Sequence, residues 1–127
     1  MAVASATIKG VTNVSKSFQM HGTREAWLLT CDFGSYTGSG DTMSIASVGA
    51  AIDARCRDGK SSTLRGAVPA FAGYDGTQAV YATGASAQAL TVSSDDLTGN
   101  LSNAAGTELT SAAASSGVGV LVIVDRA

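Results

Sequence analysis

The sequence predicts an all-β protein, an antiparallel β-sandwich or jelly roll that carries one short helical turn. Apolar and polar residues alternate with a period of two along most of the chain, whereas helical periodicity is scarce. The 15 glycines lie mostly between the alternating segments, where they are typical of turns. The chain has 127 residues, 45% of them apolar, which is enough for one packed domain. Many short strands joined by such turns are typical of sandwiches and jelly rolls.

The N-terminal third contains a weak strand followed by a strong one. Alternation over residues 8–13 is weak, so we expect residues 1–14 to form an arm or an edge strand ahead of a single domain over residues 15–127. Arg24 to Phe33 alternates more clearly than any other segment. One face of that strand would carry Trp27, Leu29, Cys31 and Phe33.

The next segment predicts the short helical turn. Residues 34–40 are a polar, glycine-rich loop, and Asp41 or Thr42 after it is a suitable N-cap. The turn would run through Ile45 and Val48 and end at Gly49. Alternation then returns over residues 50–57, which predicts a strand with Ile52, Ala54 and Cys56 facing the core, followed by a turn at Asp58 and Gly59.

The C-terminal half predicts a hairpin and a central strand. Segments 64–71 and 77–83 flank Gly73-Tyr74-Asp75-Gly76, a hairpin signal, and Pro69 places its strand at an edge or a bulge. Residues 84–116 are small and polar, and the anchors we expect there are Leu90, Val92, Leu97, Leu101 and Leu109. The run from Gly117 to Asp125 is apolar on both faces, which indicates a strand buried on both sides.

Charge and targeting signals exclude several classes of protein. Charged residues make up only 14% of the chain and the net charge is −2, so neither a nucleic-acid partner nor a charged membrane surface is predicted. No apolar run approaches the roughly 20 residues of a membrane helix. The first 18 residues lack the continuous apolar core of a secretory signal, so we expect synthesis in the cytoplasm. Cys31 and Cys56 are then expected to be free thiols in the core.

The residues that resemble catalytic or metal-binding motifs have simpler explanations. Ala54 to Ser61 fits a relaxed phosphate-loop pattern, but the residues after Ser61 alternate like a strand where that loop needs a helix. His21 has no partner motif, and Asp95-Asp96 lacks the dense carboxylates of a calcium loop. The sequence therefore predicts no enzyme activity, no cofactor and no metal.

A basic cluster is the only charged feature that suggests a contact surface. It consists of Arg55, Arg57, Lys60 and Arg65, with Asp53 and Asp58 interleaved. Either a solvated strand face or a contact with an acidic partner explains this pattern.

Several stretches together resemble the small β-rich head decoration, or cement, proteins of tailed bacteriophages. The resemblance runs from Trp27 to Asp125 and lies in the Trp27–Phe33 strand, the loop 35–42, the segment 71–81 and Gly106–Thr110 before the valine-rich strand. It implies a β-sandwich on the capsid exterior of a virion that clamps neighbouring major capsid subunits, with no catalytic residues. A homo-oligomer such as a trimer fits this interpretation. A carbohydrate-binding module or a tail or neck adaptor of a virion is the alternative function.

The contact residues expected under this interpretation lie in three regions and on one further aromatic residue. The N-terminal arm has little reason to fold alone and could add a strand to a neighbour's edge. The glycine-rich loop could adapt to a curved shell, and the basic strand could contact acidic groups on it. The candidate partner-binding residues are Ile8, Val11, Tyr36, Arg57, Lys60 and Tyr74.

Overall fold

The computed structural model describes residues 11–19, 24–38, 42–84 and 89–127, and it confirms the all-β, sandwich-like fold. The described residues form eleven strands and one helix. The strands are β1 (Val11–Gln19), β2 (Arg24–Phe33), β3 (Tyr36–Thr37), β4 (Met43–Ile45), β5 (Ser62–Phe71), β6 (Gly73–Tyr74), β7 (Ala79–Thr83), β8 (Thr91–Ser93), β9 (Asp96–Ser102), β10 (Ser111–Ala112) and β11 (Ser115–Arg126), and the helix is α1 (Val48–Cys56).

One layer of the sandwich is the sheet β1-β2-β11-β5, which we call the front sheet. All its pairs are antiparallel, and β11 lies in the middle, hydrogen-bonded to β2 on one side and to β5 on the other. The N-terminal part of β11 also pairs with β6, and through β6 the sheet curls into the second layer, β6-β7-β9 with β4 and β8. Strands β3 and β10 form a separate two-stranded sheet.

The core lies between the two layers and follows the predicted alternation. Every second residue of β2 from Trp27 to Phe33, and of β11 from Val118 to Val124, is buried in the core, whereas Ala26 and Gly119 are buried on the opposite face. The second layer contributes Met43, Ile45, Val80, Ala82, Leu97 and Leu101 from β4, β7 and β9. The anchors expected in the polar C-terminal segment are confirmed, because Leu90, Leu97, Leu101 and Leu109 are buried and Val92 packs against the core.

The predicted position of the helix is wrong. The residues expected to form the turn contain β4, and α1 covers residues 48–56, where a strand was expected. Val48 and Ile52, four residues apart, are both fully buried, whereas Ala54 is exposed. Residues 50–57 alternate with a period of two, but their largest apolar residue, Ile52, also follows Val48 at the four-residue spacing of a helix face. The segment forms a helix because Val48 and Ile52 are buried together on that face.

The valine-rich strand is central, as predicted, but its two faces differ. Val118, Val120, Val122 and Val124 lie in the core, whereas Leu121 and Ile123 point to the other face of the front sheet and remain partly exposed. The expected burial on both sides therefore holds for one face only. We call this opposite face of the front sheet the outer face.

A hairpin is present at the predicted turn, but the predicted pairing of segments 64–71 and 77–83 is wrong. The hairpin turn joins β6 to β7, but β5, which was expected to form one arm of it, pairs with β11 instead. The register of β5 against β11 shifts between Gly119 and Val120, opposite Phe71 and Pro69, so Pro69 lies at the predicted irregularity. An N-terminal strand, β1, lies antiparallel to β2, but it runs over Val11–Gln19 and overlaps the predicted strand only at residues 11–13; residues 1–10 lie outside the described part of the chain.

Candidate functional site

The large apolar side chains that remain exposed in the described structure are close together in sequence. Val68, Phe71 and Tyr74 are 42%, 41% and 56% exposed, and they belong to β5 and β6. Clustered exposed apolar groups on an otherwise well-packed protein commonly mark a binding surface. The β5–β6 region is therefore the candidate site.

Tyr74 is the most exposed of the three and stands at the start of a rigid turn. The carboxylate of Asp75 accepts hydrogen bonds from the backbone N–H groups of Thr77 and Gln78, both at 2.9 Å, and from the Gln78 side chain, also at 2.9 Å. It also accepts a hydrogen bond of 3.3 Å from the backbone N–H of Ala113. These contacts fix the turn internally and tie it to the chain beyond β10.

The same contacts control the ionisation of Asp75. The hydrogen bond from the Gln78 side chain, followed by the one from the Thr77 backbone, lowers the pKa of the Asp75 carboxyl well below its usual range. The turn therefore keeps its anionic anchor even in acid. Tyr74 is consequently presented by a preorganised hairpin, which reduces the entropy lost when a partner binds.

β6 and the end of β5 pack closely against the backbone of β11. A Cβ on Gly73 would lie 2.5 Å from the Ser116 carbonyl oxygen and from a Val118 methyl, so only glycine fits where β6 meets β11. A Cβ on Gly119 would lie 2.6 Å from ring carbons of Phe71, which shows that this ring covers the β11 backbone. Phe71 is thus held flat against the sheet, although part of its surface stays exposed.

A second exposed region is the turn between α1 and β5, which carries two of the predicted contact residues. Arg57 ends the helix in the left-handed conformation, with φ of 53°, and its N–H donates to the Asp53 carbonyl at 3.0 Å. Lys60 is exposed three residues later, and its N–H donates to the Asp58 carboxylate at 3.1 Å. The two cations therefore lie on one short turn rather than on the strand that the sequence predicted.

Arg126 on β11 holds this basic turn in place. Its guanidinium is 3% exposed and donates to the Asp58 carboxylate at 2.7 and 3.0 Å and to Asp53 at 3.2 Å. It also donates to the Ser62 hydroxyl and to the Lys60 carbonyl. The hydrogen bonds from Arg126, followed by the one from the Lys60 backbone, lower the pKa of Asp58 to about 2. All these hydrogen bonds are made within the protein, so Arg126 stabilises the fold and is not accessible to a ligand.

Only some of the predicted contact residues lie at the surface. Tyr36 is 2% exposed and its hydroxyl donates to the Glu108 carboxylate, because β3 carries the ring into the core. This corrects the expectation that Tyr36 projects from a flexible loop. Val11 is the first residue of the edge strand β1, and Ile8 lies outside the described residues. Phe71 was missed, although the irregularity at Pro69 pointed to this strand.

The segment that resembles a phosphate loop has the wrong surroundings for phosphate binding. Residues 57–61 follow the helix α1 and precede the strand β5, the reverse of the strand–loop–helix order that such a loop requires. The N-terminus of α1 is already occupied, because the Asp95 carboxylate accepts from the N–H groups of Gly49 at 2.7 Å and Ala50 at 3.2 Å. Within the described residues, no three His, Cys, Asp or Glu side chains could together hold a metal ion. His21 is not among those residues.

The two cysteines are unpaired, as predicted, but only one is deeply buried. Cys31 lies in the core on β2, and burial raises the pKa of its thiol to about 12. Cys56 ends α1 and is partly exposed, which corrects the expectation that a strand places it in the core. Burial raises the pKa of the Cys56 thiol as well. Neither thiol is therefore activated as a nucleophile.

Comparison of the chain with protein-family models, with curated proteins and with solved structures finds no match. No helix among the described residues is long and apolar enough to cross a membrane.

Proposed function

We propose that this protein is a structural virion protein that binds the outer surface of a phage capsid and stabilises contacts between major capsid subunits. The observation that carries the proposal is the exposed Tyr74 on a hairpin fixed by Asp75. Tyrosine is among the residues that contribute most to protein–protein binding, because its large ring loses little conformational entropy when it is covered. The resemblance to cement proteins supplies the kind of partner.

The surface around Tyr74 suits repeated docking on a lattice. The chain carries few long charged side chains, and charged residues are only 14% of the total, so each contact immobilises few flexible groups. Weak single contacts are sufficient when many copies bind one shell and each copy bridges two subunits. The basic turn with Arg57 and Lys60 offers a charged rim that could contact acidic groups on the shell, where each ion pair contributes about 0.2–1 kcal/mol.

Binding to purified particles tests the proposal directly. The protein is mixed with phage particles from its source that lack it, and occupancy is measured by sedimentation and by electron microscopy. Tyr74→Ala should weaken binding about tenfold or more, because truncation of a central tyrosine removes a main binding contact. Tyr74→Phe, which keeps the ring, should bind nearly as well, and Thr91→Ala on β8, exposed and outside the basic cluster, serves as the control.

The charged rim is tested in the same assay. The double variant Arg57→Ala with Lys60→Ala should bind with a smaller dependence on salt, because screening acts on exposed ion pairs.

Particles that carry the native protein should also withstand heating better than bare ones. Absence of the native protein from every particle preparation, at any salt concentration, would overturn the proposed function.

One observation favours the carbohydrate-binding alternative. Sugar-binding modules expose aromatic platforms, and both Phe71 and Tyr74 are partly exposed, whereas Trp27 is buried. Titration with host surface glycans distinguishes the two functions, because only a sugar-binding module would lose glycan affinity in Tyr74→Ala. Imaging of labelled protein on the virion decides between the head and the tail or neck.

A further inference from the structure

The outer face of the front sheet carries an apolar row across β2, β11 and β5. Leu121 on β11 pairs with Leu28 on β2 and with Val68 on β5, so these three residues form one line perpendicular to the strands. We call this line the apolar row. Val68 is 42% exposed, and Leu28 and Leu121 are partly exposed. Their strand neighbours Leu29 and Val120 point into the core, so the row faces away from it.

Charges of opposite sign lie at the two ends of the same face. At one end, Arg24 and Arg65 both donate to the carboxylate of Asp125, at 2.9 and 2.6 Å, which leaves one net positive charge. At the other end stands Asp32, which accepts a hydrogen bond of 3.1 Å from the Gly117 N–H. Asp32 is in none of the ion pairs between side chains that the structure describes.

The apolar row lies midway between these charges. Leu28 is four residues from Arg24 and four from Asp32 along β2. At about 3.3 Å per residue, the charged ends are therefore about 26 Å apart. A two-fold axis along the apolar row would turn the face onto a second copy of itself. The positive end of each copy would then lie opposite the Asp32 end of the other.

The shape of β5 is complementary under the same rotation. Phe71 lies on β5 beside Gly119, two residues from Leu121 on β11, and Gly66 lies beside Ile123, two residues away on the other side. Gly66 has no heavy atom within 4 Å of the position where a Cβ would stand, so the surface is open there. The two-fold axis would bring the exposed side of each Phe71 ring over the open surface at Gly66 of the other copy.

We propose that the outer face binds a second copy of this chain, forming a two-fold dimer in which the front sheets pack face to face. The area is sufficient, because four strands about 4.8 Å apart over about 26 Å cover about 500 Å² per copy. The resulting total of about 1,000 Å² is at the lower end of specific interfaces. The dimer should therefore form in a concentration-dependent way. Isologous contact of one patch with itself is the commonest symmetry of soluble oligomers.

Sedimentation velocity over a range of protein concentrations tests the dimer without any virion. Leu121→Asp should remove it, raising the dissociation constant at least a hundredfold, because each interface would bury two unpaired carboxylates. Far-ultraviolet circular dichroism shows whether this variant still folds. Arg55→Glu, a charge reversal on exposed α1, should leave the dimer unchanged.

A charge exchange gives the decisive result. Asp32→Arg alone and Arg24→Glu alone should each weaken self-association at least about tenfold, because like charges then meet at both ends of the dimer. Mixed together, the two variants should associate again, since each end joins an arginine to an acidic residue. A native protein that stays monomeric up to millimolar concentration, or two variants that fail to associate on mixing while both remain folded, would overturn the proposal. Loss of particle binding in Tyr74→Ala with an intact dimer would separate this proposal from the capsid function.

Discussion

Truncation of Ile52 measures how much the packing of α1 against the core stabilises the protein. The Ile52 side chain is fully buried on the core face of α1, next to Val48. Replacing a buried isoleucine by alanine costs about 2–5 kcal/mol, from lost burial and from the cavity that remains. We expect about 3 kcal/mol for Ile52→Ala, because Cys56 one turn along the helix is only partly buried and lets the site relax.

This loss converts into a measurable shift of the melting temperature. An unfolding entropy of about 2.1 cal/mol/K per residue gives about 0.27 kcal/mol/K for the whole chain, so 3 kcal/mol lowers Tm by about 11 °C. Ile52→Val should cost only about 0.5–1.5 kcal/mol. Calorimetry and urea unfolding measure both changes, and the exposed Arg55→Ala on the same helix is the control.

A second substitution separates the helix from the strand that alternation suggests. A strand over residues 50–57 would place Ala54 in the core beside Ile52, whereas α1 leaves Ala54 exposed. Ala54→Lys should therefore leave Tm nearly unchanged. If Ala54→Lys unfolds the protein, or Ile52→Ala costs no more than Arg55→Ala, residues 48–56 do not form a helix with Ile52 in the core.

Three further predictions concern the C-terminal strand and the thiols. Arg126→Met should destabilise the protein at neutral pH. The difference in unfolding free energy from the native protein should shrink as pH falls from about 4 toward about 2. The reason is that the pKa of Asp58 is lowered to about 2 in the folded protein, so its stabilising charge is lost on protonation in this range. Equal differences at pH 2 and pH 7 would contradict the role of the ion pairs. Gly119→Ala should cost about 1–3 kcal/mol by displacing the Phe71 ring, and the cost should fall in a Phe71→Ala background if that contact is the cause. In a thiol titration Cys56 should react in the folded protein and Cys31 only after unfolding; early modification of Cys31 would show that β2 is not in the core.

The fold could be predicted where burial follows a period of two. The alternation of β2 places Trp27 and Leu29 in the core, and the apolar run of β11 predicts its central position. The helix was misplaced because residues 50–57 satisfy both periods, and the contact of α1 with Asp95, far along the chain, is not visible in a local pattern.

The candidate site was predictable only in part. Tyr74 was selected because a hairpin signal surrounds it, and Arg57 and Lys60 because they are clustered cations. Tyr36 was placed at the surface because a glycine-rich segment suggests a flexible loop, yet the pairing of β3 with β10 and the Glu108 carboxylate bury it. The apolar row depends on register between three strands, which no local sequence pattern encodes.

The position of β11 in the middle of the front sheet has a consequence for synthesis of the protein. Arg24 and Asp125 face each other across β2 and β11 although 101 residues separate them in sequence. Because the ribosome makes the chain from its N-terminus, β2 is complete long before β11, its partner in the middle of the sheet, has been synthesised. Pairing over such long sequence separations is slow, so β1 and β2 pass through a period with one unsatisfied edge and an uncovered apolar side. Expression conditions that slow aggregation of the nascent chain, such as low temperature or added chaperones, should therefore raise the soluble yield. The gain should exceed that from substitutions that stabilise the folded protein.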